Sequence, residues 1–137
     1  MSDAAQTQRE MLEAVRARDF DGLRALYHPD YSYMGADGIE MQGADAGVDV
    51  AKTYTTAFPD LELEVRHQFS AGDDVAIMEF TARGTHEGEL EGIAPTGKSV
   101  EIFVCNVLEV RDDKILRERE YFDALSLMRQ LGVIAGD

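Results

Sequence analysis

The sequence has little of what would support a disulfide framework, a nucleic-acid partner or a membrane span. It contains one cysteine in 137 residues, and Cys105 lies inside an apolar run, where a free thiol packs as a small hydrophobic group. There are 13 lysines and arginines against 27 aspartates and glutamates, a net charge of -14, and no basic cluster of the kind that binds phosphates. No apolar run approaches the length of a transmembrane helix. Nucleic acid and membrane are therefore not expected partners.

Motifs for metals and cofactors are also missing. The three histidines, His28, His67 and His86, stand far apart in the sequence, and there is no HExxH motif or Cys/His cluster. No glycine-rich dinucleotide motif, phosphate loop or nucleophile elbow is present. The first twenty residues lack the apolar stretch of a secretory signal. We therefore expect no metal, no cofactor and a cytoplasmic location.

The length predicts one domain over residues 1–137, large enough to bury roughly two thirds of the surface that the unfolded chain exposes. Apolar residues follow a helical period in the first part of the chain, with Ser2 or Asp3 available to cap the first helix. Proline or the residue before it ends the second and third helices. The predicted elements are helices at Asp3 to about Arg18, Phe20 to Tyr27 and about Ala44 to Phe58, with a short strand at Tyr31 to Met34.

From Leu61 onward, apolar and polar residues alternate with the period of a strand, and Gly72-Asp73 predicts a two-residue hairpin turn. This turn places Glu62 opposite Arg83 and Arg66 opposite Glu79 on the outer face of the sheet. The inner face then carries Leu63, Val65, His67, Phe69, Ala76, Met78, Phe80 and Ala82.

A second hairpin is predicted around Asp112-Asp113. In its register Asn106 lies opposite Arg119, on a face shared with Tyr121 and Asp123. Polar side chains on a face that should be apolar break the binary pattern, and such breaks tend to occur at functional sites. Asn106 and Arg119 are therefore predicted to orient a substrate carbonyl or to stabilise an enolate.

Two segments carry a family resemblance. GTHEGELEGIAPTG at Gly84–Gly97 and EYFDALSLMRQLG at Glu120–Gly132 resemble the SnoaL-like polyketide cyclases, and the resemblance covers most of the chain. It implies an α+β fold, the cone-shaped fold of nuclear transport factor 2 and ketosteroid isomerase, with N-terminal helices packed on a curved antiparallel sheet around an apolar pocket. It also implies a cofactor-independent cyclase or isomerase acting on a hydrophobic carbonyl substrate. Near Glu118 and Arg119 the chain departs from the family pattern, which has a histidine and a tryptophan there.

The resemblance places the catalytic aspartate of these cyclases at Asp123, as a general acid/base whose pKa is raised by desolvation. Asp123 also stands where the last helix begins, so a helix cap is the alternative. His86 is the second catalytic candidate, as a hydrogen-bond donor or proton shuttle, and its alternative is a bond to a loop carbonyl. The predicted substrate-binding residues are Asn106, Arg119, Tyr33, Phe58, His67, Phe80 and Tyr121, although ordinary core packing explains the apolar ones equally well.

Two other functions fit the same sequence. One is a non-catalytic domain that holds a small apolar ligand or serves an accessory role. The other is an epoxide hydrolase, for which Arg119 and Asp123 would supply part of the water-binding cluster. In each case the expected partner is a small hydrophobic molecule. A second copy of the chain is also expected, in a homodimer formed through the outer face of the sheet, where Val75 and Ile77 point outward.

Overall fold

The computed structural model describes residues 3–134. Helices occupy one side of a six-stranded mixed sheet, whose strand order is β2-β1-β6-β5-β4-β3 and in which only β1 and β6 run parallel. This arrangement confirms the predicted α+β class. The elements are α1 (Ala4–Ala17), α2 (Phe20–Ala25), β1 (Tyr27–Met34), β2 (Glu40–Gln42), α3 (Ala44–Ala57), β3 (Glu62–Ala71), β4 (Val75–Thr85), β5 (Ser99–Arg111), β6 (Lys114–Tyr121) and α4 (Ala124–Leu131).

The first helix lies across the inner face of the sheet. The Asp3 carboxylate caps it by accepting a hydrogen bond from the Gln6 backbone N–H at 2.8 Å, as one of the two predicted caps; Ser2 lies outside the described residues. Its buried face includes Gln8, Met11 and Leu12. No helix within residues 3–134 is long and apolar enough to cross a membrane.

The second helix is shorter than predicted. It ends at Ala25, and the strand that follows begins at Tyr27, not at Tyr31. Tyr27 pairs with Ile115 of β6, so a tertiary strand pairing overrides the local helical pattern. The third helix matches its prediction closely. It packs so closely on β1 that a Cβ atom at Gly47 would lie only 2.6 Å from the Tyr27 ring.

The first hairpin contains two one-residue shifts that cancel. Its loop has three residues, so Ala71 pairs with Val75, and a bulge between Val65 and His67 restores the predicted register further along. Glu62 therefore pairs with Arg83 as predicted, whereas the predicted Arg66–Glu79 pair is wrong, because His67 pairs with Glu79.

The bulge also changes which side chains of β3 face the helices. Gln68, which pairs with buried Met78, faces inward and reaches α1. The prediction that His67 and Phe69 face inward is wrong, since both are exposed. Met78 and Phe80 of β4 are buried on the inner face as predicted.

The second hairpin has the predicted turn but not the predicted register beyond it. Asp112 and Asp113 both have positive φ, 55° and 59°, as a two-residue primed turn requires. A bulge at Leu116 then moves every later pairing by one residue, so Asn106 lies opposite Glu120. The predicted Asn106–Arg119 pair is wrong for this reason.

Candidate active site

A cavity of about 150 Å³ lies between the helices and the inner face of the sheet. Its walls are mostly apolar and come from α1, α3 and strands β3 to β5, with Leu12, Ala51, Phe58, Phe80 and Val104 among them. Asn106 of β5 faces Glu118 and Glu120 of β6 in this wall, and the other polar residues that line it are Arg83 and three tyrosines, Tyr27, Tyr33 and Tyr54. This arrangement puts two carboxyl groups into a mostly hydrophobic space.

The two carboxyl groups share one amide. Asn106 donates from Nδ2 to Glu118 Oε2 at 2.8 Å and to Glu120 Oε2 at 3.1 Å. None of the ion pairs in residues 3–134 involves Glu118 or Glu120. The negative charge of the pair is therefore balanced by hydrogen bonds and not by a cation.

Tyrosines of β1 complete the shell around the pair. Tyr31 donates its hydroxyl to Glu118 Oε1 at 2.6 Å, and Tyr33 donates to Glu120 Oε1 at 2.9 Å. β1 runs parallel to β6, and this pairing brings tyrosines and glutamates from distant parts of the sequence onto one face. Glu118 is 6% exposed, whereas Glu120 is half-buried and is the more accessible of the two.

Burial raises the pKa of both carboxyl groups. The pKa of Glu118 rises to about 7, mainly through desolvation and then through the charge of Glu120, against the opposing hydrogen bonds from Tyr31 and Asn106. Desolvation also raises the pKa of Glu120, and hydrogen bonds from Tyr33 and Asn106 oppose it. The pair titrates as a unit, so it retains a proton at pH values where exposed glutamates are ionised.

The tyrosine hydroxyls remain protonated near the pair. Desolvation, followed by the charges of the glutamates, raises the pKa of Tyr27, Tyr31 and Tyr33 well above the usual value. The pKa of Tyr54 rises to about 12, again chiefly through burial. These four groups are therefore hydrogen-bond donors at neutral pH.

Comparison with known proteins gives the family. The model of the SnoaL-like polyketide cyclases matches residues 5–131. The chain belongs to this family.

Within the SnoaL-like family, the chain is 28% identical over 134 residues to aklanonic acid methyl ester cyclase AcmA of Streptomyces galilaeus, covering 96% of this chain and 92% of AcmA. Its fold resembles that of AclR of Streptomyces galilaeus, a proposed hydroxylase, with a TM-score of 0.83 at 27% identity over 96% of this chain and 82% of AclR. It also resembles IdmH of Streptomyces antibioticus, a proposed polyketide cyclase, with a TM-score of 0.78 at 27% identity over 93% and 96% of the two chains.

Four of the residues predicted for this SnoaL-like site lie in the cavity wall. They are Asn106, Tyr33, Phe58 and Phe80. Asn106 contacts the carboxyl pair directly, and Tyr33 contacts Glu120. The apolar side chains of Phe58 and Phe80 are both buried and supply hydrophobic surface.

Asp123 lies elsewhere. Its side chain is exposed and accepts a hydrogen bond from the Ser126 backbone N–H at 3.0 Å, which caps α4. It is not among the cavity-lining residues. The structure thus shows the capping contact that sequence reasoning gave as the alternative to a catalytic role.

His86 is buried but lies behind the cavity wall. Its ring centroid is 5.6 Å from that of Phe58, and Nδ1 accepts a hydrogen bond from the Thr96 backbone N–H at 3.1 Å. Since Nδ1 accepts, Nε2 carries the proton, and this buried atom has no hydrogen-bond partner in residues 3–134. His86 thus ties the end of β4 to the loop before β5.

The other predicted contacts lie on the outer face of the sheet. Arg119 bonds Glu109 Oε2 at 2.6 Å, His67 stacks on Phe69 at a centroid distance of 6.0 Å, and Tyr121 is exposed. The bulges in the two hairpins put these three predicted residues outside the cavity.

Sequence reasoning missed Glu118 and Glu120. In KILREREY the adjacent apolar pair Ile115-Leu116 interrupts the alternation and is the local signal of the bulge. Beyond it, arginine and glutamate alternate strictly, so both faces are equally polar and the pattern does not indicate which one is buried. Within the described residues, 3–134, no cluster of three or more His, Cys, Asp or Glu side chains is arranged to hold a metal ion.

Proposed function

We propose that this SnoaL-like protein is a cofactor-independent polyketide cyclase or isomerase, which uses the Glu118–Glu120 pair for general acid/base catalysis on a hydrophobic carbonyl substrate. The observation that carries the proposal is a cation-free carboxyl pair in the wall of an apolar cavity. Desolvation tunes the pair toward neutral pH, where a carboxylate is a strong enough base to remove an acidic carbon-bound proton. A methyl ester of a polyketide acid is the favoured substrate class, because the relative AcmA is named as an aklanonic acid methyl ester cyclase.

Glu120 is the proposed base. It is half-buried whereas Glu118 is buried, so Glu120 is the more accessible residue of the pair. Glu118 shares the Asn106 amide with Glu120, and the pair retains a proton near neutral pH, so the two groups do not both carry a negative charge. Other catalytic carboxyl pairs act in the same way, with one member ionised and the other protonated.

In the proposed step, Glu120 removes a proton from the carbon next to a substrate carbonyl. The C–H electron pair forms the enolate, whose oxygen receives a hydrogen bond from the Tyr54 hydroxyl, a group in the cavity wall that stays protonated at neutral pH. The enolate carbon attacks a second carbonyl of the same substrate and closes a ring. The proton on Glu120 then passes to the new alkoxide, which restores the carboxylate.

The test compares two identical substitutions on opposite faces of the sheet. Glu120→Gln should reduce turnover of aklanonic acid methyl ester, or of an aryl β-keto ester followed by deuterium exchange at the acidic carbon, by about 10²–10⁴-fold. Glu109→Gln is the matched control and should leave turnover unchanged, because Glu109 pairs with Arg119 on the outer face. Undiminished turnover in Glu120→Gln would eliminate this base.

One observation favours a binding domain without catalysis. All four oxygens of the pair already accept hydrogen bonds from the protein, which also describes a purely structural polar network. Native mass spectrometry of the purified protein would reveal a bound apolar molecule. A retained ligand together with the absence of proton exchange on every ketone tested would support this second function. The epoxide hydrolase alternative has less support, because Arg119 lies on the outer face and Asp123 is exposed.

We also propose a homodimer through the outer face of the sheet. Phe103 is 69% exposed there, and Phe69 and Tyr121 are exposed as well, an unusual amount of aromatic surface for a monomer. The same face carries both signs of charge, including the Arg83–Glu101 and Arg119–Glu109 pairs, so two copies do not simply repel. Sedimentation should show a dimer at micromolar concentration and a monomer for Phe103→Glu; a wild-type monomer would disprove the proposal.

A further inference from the structure

A chain of side-chain amides connects the carboxyl pair to the protein surface. Gln8 of α1, which is fully buried, donates from Nε2 to Asn106 Oδ1 at 2.9 Å. Asn106 then donates to both glutamates. The two amides therefore point their N–H groups in one direction, toward the carboxyl groups.

Fixed backbone groups determine the orientation of Gln8. Its Nε2 also faces two backbone carbonyls, that of Asn106 at 3.1 Å and that of Ala76 at 3.4 Å. Carbonyl oxygens only accept hydrogen bonds, so rotating the Gln8 amide by half a turn would place oxygen against three acceptors. The N–H groups of Gln8 must point at Asn106, and Asn106 must present oxygen to Gln8 and nitrogen to the glutamates.

The outer end of the chain is fixed in the same way. Gln68 donates from Nε2 to Gln8 Oε1 at 3.0 Å and to the Ala5 backbone carbonyl at 2.9 Å. The Arg9 guanidinium, which is always a donor, bonds Gln68 Oε1 at 2.7 Å. Each amide is thus polarised in the same sense, from a surface cation to the buried pair.

We propose that Gln8 is a positioning residue for the proposed active site: it holds the Asn106 amide so that both Asn106 N–H groups are directed at Glu118 and Glu120. The inference rests on the proposed function for its catalytic meaning. The orientation of the Gln8 and Asn106 amides does not depend on the proposed function, because it follows from the backbone carbonyls and not from any substrate.

The physical consequence concerns ionisation of the pair. With Gln8 in place, the ionised carboxylates receive two N–H donors that favour the charged form. Without it, Asn106 is free to turn its oxygen toward a protonated carboxyl, which favours the neutral form. The other titratable groups facing the pair are Tyr27, Tyr31, Tyr33 and Tyr54, all protonated at neutral pH.

The experiment is a titration of the unliganded protein with ¹³C-carboxyl-labelled glutamate, followed by NMR. Glu118→Gln and Glu120→Gln assign the two signals. Gln8→Met keeps the length of the side chain but removes the amide, and it should raise the midpoint of the pair by about one pH unit. Gln6→Met is the matched control on the exposed side of the same helix, and its midpoint should equal that of the wild type.

A folded Gln8→Met protein with an unchanged midpoint would overturn the proposal, since a residue that serves only packing alters stability but not the titration. If Gln8→Met does not fold, Gln68→Met removes the next amide outward; a smaller upward shift supports the proposal, and no shift refutes it. The titration uses no substrate. A shifted midpoint in a protein without turnover would therefore reject the proposed function while retaining the role of Gln8.

Discussion

The two faces of the β5–β6 hairpin place the same acidic residue type in opposite environments. On the outer face, Glu109 accepts from Arg119 at 2.6 Å and from Arg117 at 3.3 Å, and the hydrogen bond from Arg119 holds its pKa below the usual value. On the inner face, Glu118 has no cation and its pKa rises to about 7. Glutamates on two hydrogen-bonded strands of one hairpin thus differ in proton affinity because of the side of the sheet on which they lie.

This difference indicates that the inner face of the hairpin carries the groups suited to acid/base chemistry. Partly exposed ion pairs such as Arg119–Glu109 contribute only about 0–1 kcal/mol each to stability. A carboxyl pair in an apolar wall reduces stability, and buried charge without a cation is retained mainly where a function needs it. Matched substitutions on the two faces should therefore differ in their effect on stability and on its pH dependence.

A carboxylate added to the inner face of β5 should lower the free energy of unfolding much more than one added to the outer face. Asn106→Asp removes both donors to the pair and adds a third buried acid, so it should lower the free energy of unfolding by about 3–5 kcal/mol near neutral pH. The loss should shrink in acid, where protonated carboxyls donate to one another. Urea unfolding at several pH values measures both effects.

The neighbouring residue provides the control. Val107 points outward and pairs with Arg119, so the carboxylate of Val107→Asp meets a cation and should cost about 1 kcal/mol or less. Equal costs for the two substitutions would mean that the faces do not differ electrostatically in the way that the structure indicates.

The second prediction concerns pH. The native state raises the pKa of Glu118 from 4.5 to about 7, so it binds this proton more tightly than the unfolded chain does. The stability gained from that proton is fully present below about pH 4.5 and is lost as the pH rises through about 7. Relative to Glu118→Gln, the wild type should lose on the order of 3 kcal/mol across this interval.

On the outer face, stability should depend on pH in the opposite direction. The depressed pKa of Glu109 means that its contribution is present above the unfolded pKa and disappears in acid, so Glu109→Gln should matter only at higher pH. If the free energy of unfolding varied with pH in the same way in the wild type and in Glu118→Gln, Glu118 would have an ordinary pKa.

Much of the fold follows from the sequence because local signals agree with tertiary structure there. The Asp3 cap, the span of α3 and the primed turn at Asp112-Asp113 are all local or close to a turn, whereas the Glu62–Arg83 pairing agrees with its prediction only because the two shifts in the first hairpin cancel. The family motifs supplied the rest of the architecture. These features require no knowledge of which strands meet across the sheet.

The site was less predictable, because its position depends on bulges and on parallel pairing. A one-residue shift at Leu116 exchanges Arg119 for Glu120 opposite Asn106, and sequence alternation remains the same under either register. Tyr31 reaches Glu118 only because β1 lies beside β6, and this contact joins residues from distant parts of the chain. Gln8 has no local signal at all.

The smallest predicted effect concerns Asp123, an exposed carboxylate in a third environment. It contacts the Ser126 backbone N–H at the start of α4, so Asp123→Ala should lower the free energy of unfolding by about 0.5–2 kcal/mol, as the loss of a helix cap does. Asp123→Asn should be nearly silent, since asparagine caps helices about as well as aspartate. Thermal unfolding of both variants measures this difference.

Turnover of the same two variants completes the comparison of carboxylates. The cap lies outside the cavity wall, so Asp123→Asn should retain the turnover that Glu120→Gln loses. If Asp123→Asn instead abolished turnover while leaving the thermal midpoint unchanged, the base would be the carboxylate that the family resemblance points to. The side chain would then have to swing from α4 into the cavity when substrate binds, and the contrast between the faces of the hairpin would describe stability and not catalysis.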